Sequence, residues 1–89
     1  MYIHIGQDTV IVDEEIIGIF DMENTTVMKS TVDYLNKAEK NGEVNNVAPF
    51  ELPKSFVVVN EEGKIMVYIT QLSSSTLQKR AEQNKLFDI

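Results

Sequence analysis

The sequence predicts an α+β fold: a small, mainly antiparallel sheet of hairpins with one amphipathic helix and a short C-terminal helix. Three observations predict it. Residues 55–59 and 64–70 are rich in β-branched and aromatic side chains, and Asn60-Glu61-Glu62-Gly63 between them has the turn chemistry of a tight hairpin. Residues 27–38 carry apolar side chains at helical spacing. Ser73, Ser74 and Ser75 then supply hydroxyls suited to capping a second helix.

From the N-terminus, residues 1–5 read as a strand with Met1, Ile3 and Ile5 on one side and Tyr2 and His4 on the other. Gly6-Gln7-Asp8 is a turn, and residues 9–12 return as a second strand. Asp13-Glu14-Glu15 interrupts the pattern before a third strand, residues 16–21, in which Gly18 marks a bulge or a close backbone approach. Asn24, Thr25 and Thr26 are each able to cap the following helix. Its apolar face is Val27, Met28, Val32, Tyr34, Leu35 and Ala38, opposite Lys29, Asp33, Asn36, Lys37 and Lys40, and Asn41-Gly42 ends it.

Residues 43–50 are ambiguous. Val44 and Val47 suit a short edge strand, whereas Asn45-Asn46 and the prolines at 49 and 53 argue for an extended loop. In the central hairpin Ile65, Val67 and Ile69 face one way and Met66 and Tyr68 the other, and the preceding strand is also apolar on both sides. Such strands need burial on both faces. Two helices are a thin cover for a five- or six-stranded sheet, so either the sheet curls on itself or a second copy covers the remainder. A homo-oligomer is the expectation. In the last helix Leu77 and Ala81 share the inner face.

The chain has 89 residues, enough for one domain, residues 1–89, with one core. It has no cysteine, which removes disulfides and thiolate chemistry. No apolar run is long enough to span a bilayer and no targeting segment is evident, so no membrane contact and a cytoplasmic location are expected. The net charge is -6 and unevenly spread: up to Pro53 there are ten acidic and three basic residues, and from Lys54 onward four acidic and five basic. Nucleic-acid affinity comes mainly from Lys and Arg displacing counterions, so only the second half offers a basic face.

No catalytic motif is present, and an enzyme is not expected. His4, the sole histidine, lacks neighbours at metal-ligand spacing. Asp13-Glu14-Glu15 lacks the alternating ligands of a calcium loop. The serine run has no base to make it nucleophilic; capping accounts for one serine, and a phosphate contact at the helix start stays open. No glycine-rich nucleotide loop occurs. Neither cofactor nor metal is expected. Lys54, Lys64, Lys79 and Arg80 are the candidate nucleic-acid-binding residues, as a small basic patch.

The opening MYIHIG, the third strand IIGIFD and the closing LSSSTLQKRA resemble, in that order and spacing, the RemB branch of the RemA/RemB family of bacterial extracellular-matrix (biofilm) regulators. The resemblance covers nearly the whole chain. It implies a small α+β domain that regulates transcription of biofilm-matrix genes and, for the RemA branch, DNA binding by a ring-like homo-oligomer. RemA-like members carry arginines in the turn before the third strand and in the loop entering the central hairpin. Here those regions read Asp13-Glu14-Glu15 and Phe50-Glu51-Leu52-Pro53, leaving Lys54 as the basic residue, while Arg80 matches a basic position of the last helix. Two functions follow as expectations: an oligomeric DNA-binding regulator, or a module that binds a protein partner through its acidic face and does not touch DNA.

Overall fold

The central hairpin is built as its sequence dictates. In the computed structural model, which describes residues 1–22 and 29–87, two seven-residue strands pair antiparallel from Ser55↔Thr70 to Glu61↔Lys64. For reference throughout, the strands are β1 (Tyr2–Gly6), β2 (Thr9–Val12), β3 (Ile16–Asp21), β4 (Val44–Asn46), β5 (Ser55–Glu61) and β6 (Lys64–Thr70). The helices are α1 (Lys29–Lys40) and α2 (Ser74–Phe87). Glu62 and Gly63 turn the central hairpin with φ of 52° and 89°. Two successive left-handed residues match the twist of the flanking strands, and glycine takes the second without a Cβ clash. The Asn60 side-chain oxygen accepts from the Gly63 amide at 2.9 Å.

β3 pairs antiparallel with β5, with a register shift between Ile16 and Gly18. A Cβ on Gly18 would lie 2.7 Å from the Phe20 ring. Glycine therefore lets that ring fold back along its own strand and stack on Phe56, centroids 5.0 Å apart. The irregular register expected at this residue is present, and what approaches its backbone closely is the Phe20 ring.

Residues 44–46 are a strand, resolving the ambiguity in the sequence. β4 pairs parallel with β6, and the ladder is extended by the Val67 amide donating to the Glu43 carbonyl at 2.8 Å and the Val47 amide to the Ile69 carbonyl at 2.9 Å. The resulting order is β3-β5-β6-β4, a mixed four-stranded sheet. β1 and β2 do not join it. They form a separate antiparallel ribbon.

That separation explains how β5, buried along five consecutive residues, is covered. On one face Ile3, Ile5 and Ile11 of the ribbon and Leu77 of α2 pack with Val57, Val59 and Tyr68. On the other, Ala38 and Leu35 of α1 pack with Phe56, Val58 and Val67. The ribbon is pinned by the buried Thr70, whose hydroxyl donates to the Ile5 carbonyl. Thr70 also accepts from the Leu72 amide at 3.1 Å. These contacts sit where β6 hands the chain to α2.

α2 starts as expected: the Ser73 hydroxyl accepts from the Thr76 amide at 3.3 Å. The predicted inner face of α1 is only partly used. Leu35 and Ala38 reach the sheet, whereas Val32 and Tyr34 remain exposed. The proposed caps Asn24, Thr25 and Thr26, with Val27 and Met28, lie outside the described residues. No helix among the described residues is long and apolar enough to cross a membrane.

Candidate nucleic-acid interface

Lys54, Lys64, Lys79 and Arg80 are distributed by the hairpin and by α2. Lys54 enters β5, its amide donating to the Thr70 carbonyl at 2.9 Å while its carbonyl accepts from Met22 at 3.0 Å. Lys64 opens β6 at the opposite end of the hairpin. Seven residues at about 3.3 Å each separate the two by roughly 20 Å. Lys79 is exposed on α2, and Arg80 beside it is half-buried. Lys79 and Arg80 are neighbours by sequence only, with Lys79 exposed and Arg80 turned to the His4 carbonyl, and the structure does not bring Lys54 and Lys64 together.

Arg80 has work to do within the fold. Its Nη1 donates to the His4 carbonyl at 2.8 Å, tying α2 to β1 across 76 residues of chain. It borders a cleft of about 390 Å³ with His4, Gln7 and Gln71. The remaining guanidinium donors suit an anion there, while Lys79 offers a charge without a structural bond among those described.

The serine hydroxyls are largely spoken for. Ser73 Oγ lies 3.1 Å from Ser75 Oγ and 2.9 Å from Thr76 Oγ1, besides accepting from the Thr76 amide. Ser73 is thus a cap within a local hydroxyl network.

Asp13, Glu14 and Glu15 form a single 3-10 turn. The Met1 ammonium lies 3.1 Å from Asp13 Oδ1 and 2.9 Å from Glu14 Oε2. A hydrogen bond with Asp13, and then one from the ammonium, hold the Glu14 carboxyl at about 2. Glu14 is thereby held in its carboxylate form, which repels phosphate and does not attract it. No group of acidic or histidine side chains able to hold a metal occurs among the described residues.

The extended loop expected around the prolines at 49 and 53 is present, but the exposure of its apolar side chains was not anticipated from the sequence. The Glu51 amide donates to the Ala48 carbonyl at 3.0 Å, closing a turn with Pro49 at its second position. This turn displays Phe50 at 99% and Leu52 at 77% exposure. Apolar residues between two prolines, in a segment with no strand or helix period to bury them, were the available signal.

Along nearly its whole length the chain matches a curated protein. It is 40% identical over 82 residues to the extracellular matrix regulatory protein B of Bacillus subtilis (strain 168), covering 92% of this chain and 91% of that protein. The chain belongs to the RemB family. No family model matches the sequence. Family membership agrees with the α+β architecture of hairpins and two helices described above.

Proposed function

We propose that this RemB-family chain regulates extracellular-matrix and biofilm gene expression from the cytoplasm, as an oligomeric DNA-binding transcriptional regulator. The observation that carries the reading is the identity to an extracellular matrix regulatory protein over 92% of the chain. It has no catalytic step. Exposed Lys54, Lys64 and Lys79 supply counterion-releasing charge, and an oligomer repeats them, so contacts too weak singly add through effective concentration. Arg80 serves mainly as the tie to β1.

The test is retention of a long DNA duplex at low and moderate salt, with solution mass measured in the same buffers. The expected result is an oligomer whose binding weakens with salt. The double variant Lys64→Glu, Lys79→Glu should lose most retention while keeping its mass, because both side chains are exposed. An oligomer that ignores DNA at low salt overturns the DNA-binding reading.

A second reading has its own support. Net charge of -6 and the carboxylates at Asp13, Glu14 and Glu15 favour a module that regulates by binding a protein partner. In that case DNA is not retained, and a basic protein is held in a salt-sensitive manner.

A further inference from the structure

We propose that the turn at residues 48–53 is a plug that seats in the groove beside α1 of a second copy, joining copies head to tail. The proposal rests on the oligomeric part of the function above and supplies its contact. Fully exposed aromatic side chains are costly to keep in water, and a rigid turn that displays one is the usual build of an interface anchor. Phe50 is displayed in this way. The turn is tied at both ends to β6, through the Val47 amide to the Ile69 carbonyl and the Lys54 amide to the Thr70 carbonyl, each at 2.9 Å. With Pro49 and Pro53 fixing φ, little entropy remains to be lost on docking.

The same chain carries a matching hollow. Ile17, Phe20, Tyr34, Phe56 and Val58 line an apolar groove of about 330 Å³ between α1 and β3. Ile17 is 60% exposed there. An apolar cavity of about 150 Å³ holds a benzene ring, so this groove has room for the Phe50 ring together with Leu52. Charge agrees with shape. Side chains alternate along a strand, so the exposed Lys54, two residues before Phe56, falls on the face of Phe56 and Val58. It is placed to meet Glu51, which sits between the two apolar anchors of the plug.

A copy cannot fill its own groove. The plug follows Val47, which is buried in the core beneath the β1–β2 ribbon, and it shares a cleft with Gln7 of that ribbon. The groove lies on the opposite face of the sheet, under α1. With plug and groove on opposite faces, the contact is heterologous and propagates from copy to copy, as a ring where the rotation between copies closes and as an open chain where it does not.

The test uses two full-length variants, Phe50→Asp to remove the plug and Ile17→Asp to block the groove, with circular dichroism to verify folding. Both side chains are exposed, so the fold should persist. By sedimentation, each variant alone should be monomeric, with its dissociation constant raised about thirtyfold or more. An equal mixture should form a heterodimer that grows no further, since one intact plug meets one intact groove. Glu51→Lys and Lys54→Glu should each weaken assembly, and the double variant should recover it. A folded Phe50→Asp chain of wild-type mass overturns the proposal, as does a mixture that stays monomeric. A monomeric wild-type chain also overturns it and leaves the plug to another protein. DNA retention is read on the same samples: an oligomer dissolved by Phe50→Asp whose wild type ignores DNA sinks the DNA reading and leaves this contact standing.

Discussion

The two faces of the four-stranded sheet are made from the same strands and finished differently. β5 offers Val57 and Val59 to one face and Phe56 and Val58 to the other, all buried. On the ribbon side β1, β2 and α2 close completely over them. On the α1 side the helix covers the half of the sheet nearest β4 and leaves Ile17, Phe20 and Tyr34 in contact with water. The first face carries the fold's stability. The second retains exposed apolar surface at Ile17, Phe20 and Tyr34, which is the surface the proposed contact would cover.

The largest expected effect breaks the sealed face. Leu77 is 1% exposed and joins α2 to both the ribbon and the sheet. Leu77→Ala should lower stability by about 2–5 kcal/mol in urea unfolding, because the sealed layer cannot collapse into the cavity. For a chain of this size that approaches the whole of its stability. A loss below about 1 kcal/mol would mean that α2 is not held by this contact.

What could be read from the sequence follows the same division. The central hairpin, the third strand, the alternation of Ile3 and Ile5 and the Ser73 cap depend on neighbours within a few residues, and all are present. The separation of β1 and β2 from the main sheet was not legible. It depends on which backbone edge each strand meets, a choice made by contacts such as Thr70 to Ile5, 65 residues apart. β4 was obscured for a related reason. Asn45 and Asn46 are poor strand formers, held by the exposed parallel edge of β6 and not by their own preference. At the candidate site Lys54, Lys64 and Lys79 were legible as surface charge. Arg80's bond to the His4 carbonyl was not, since a helix pattern does not reveal what its basic residues reach.

A smaller effect belongs to the open face. Gly18→Ala places a methyl against the Phe20 ring, which must leave its stack on Phe56. The ring is already partly exposed and free to swing outward, so the expected loss is about 1 kcal/mol, at the low end for overpacking. The displaced ring alters the groove, and sedimentation should show weaker self-association than urea unfolding alone would suggest. Equal self-association would place Phe20 outside the contact.

The smallest effect at neutral pH returns to the sealed face. The Tyr68 hydroxyl donates to a Glu61 carboxylate oxygen. Burial first, and then that hydrogen bond to an anion, push its pKa from 10 up to about 12. The folded state therefore holds this proton more tightly than the unfolded chain does. Its contribution is fully present below pH 10 and is lost as pH rises from there through about 12, while nothing changes near pH 7. The informative quantity is the difference between wild type and Tyr68→Phe, in which the contributions of all other groups cancel. Urea midpoints from pH 9 to 12 should fall more steeply for the wild type. Parallel curves would show that the Tyr68–Glu61 bond does not couple the sealed face to proton uptake, and that packing alone holds it.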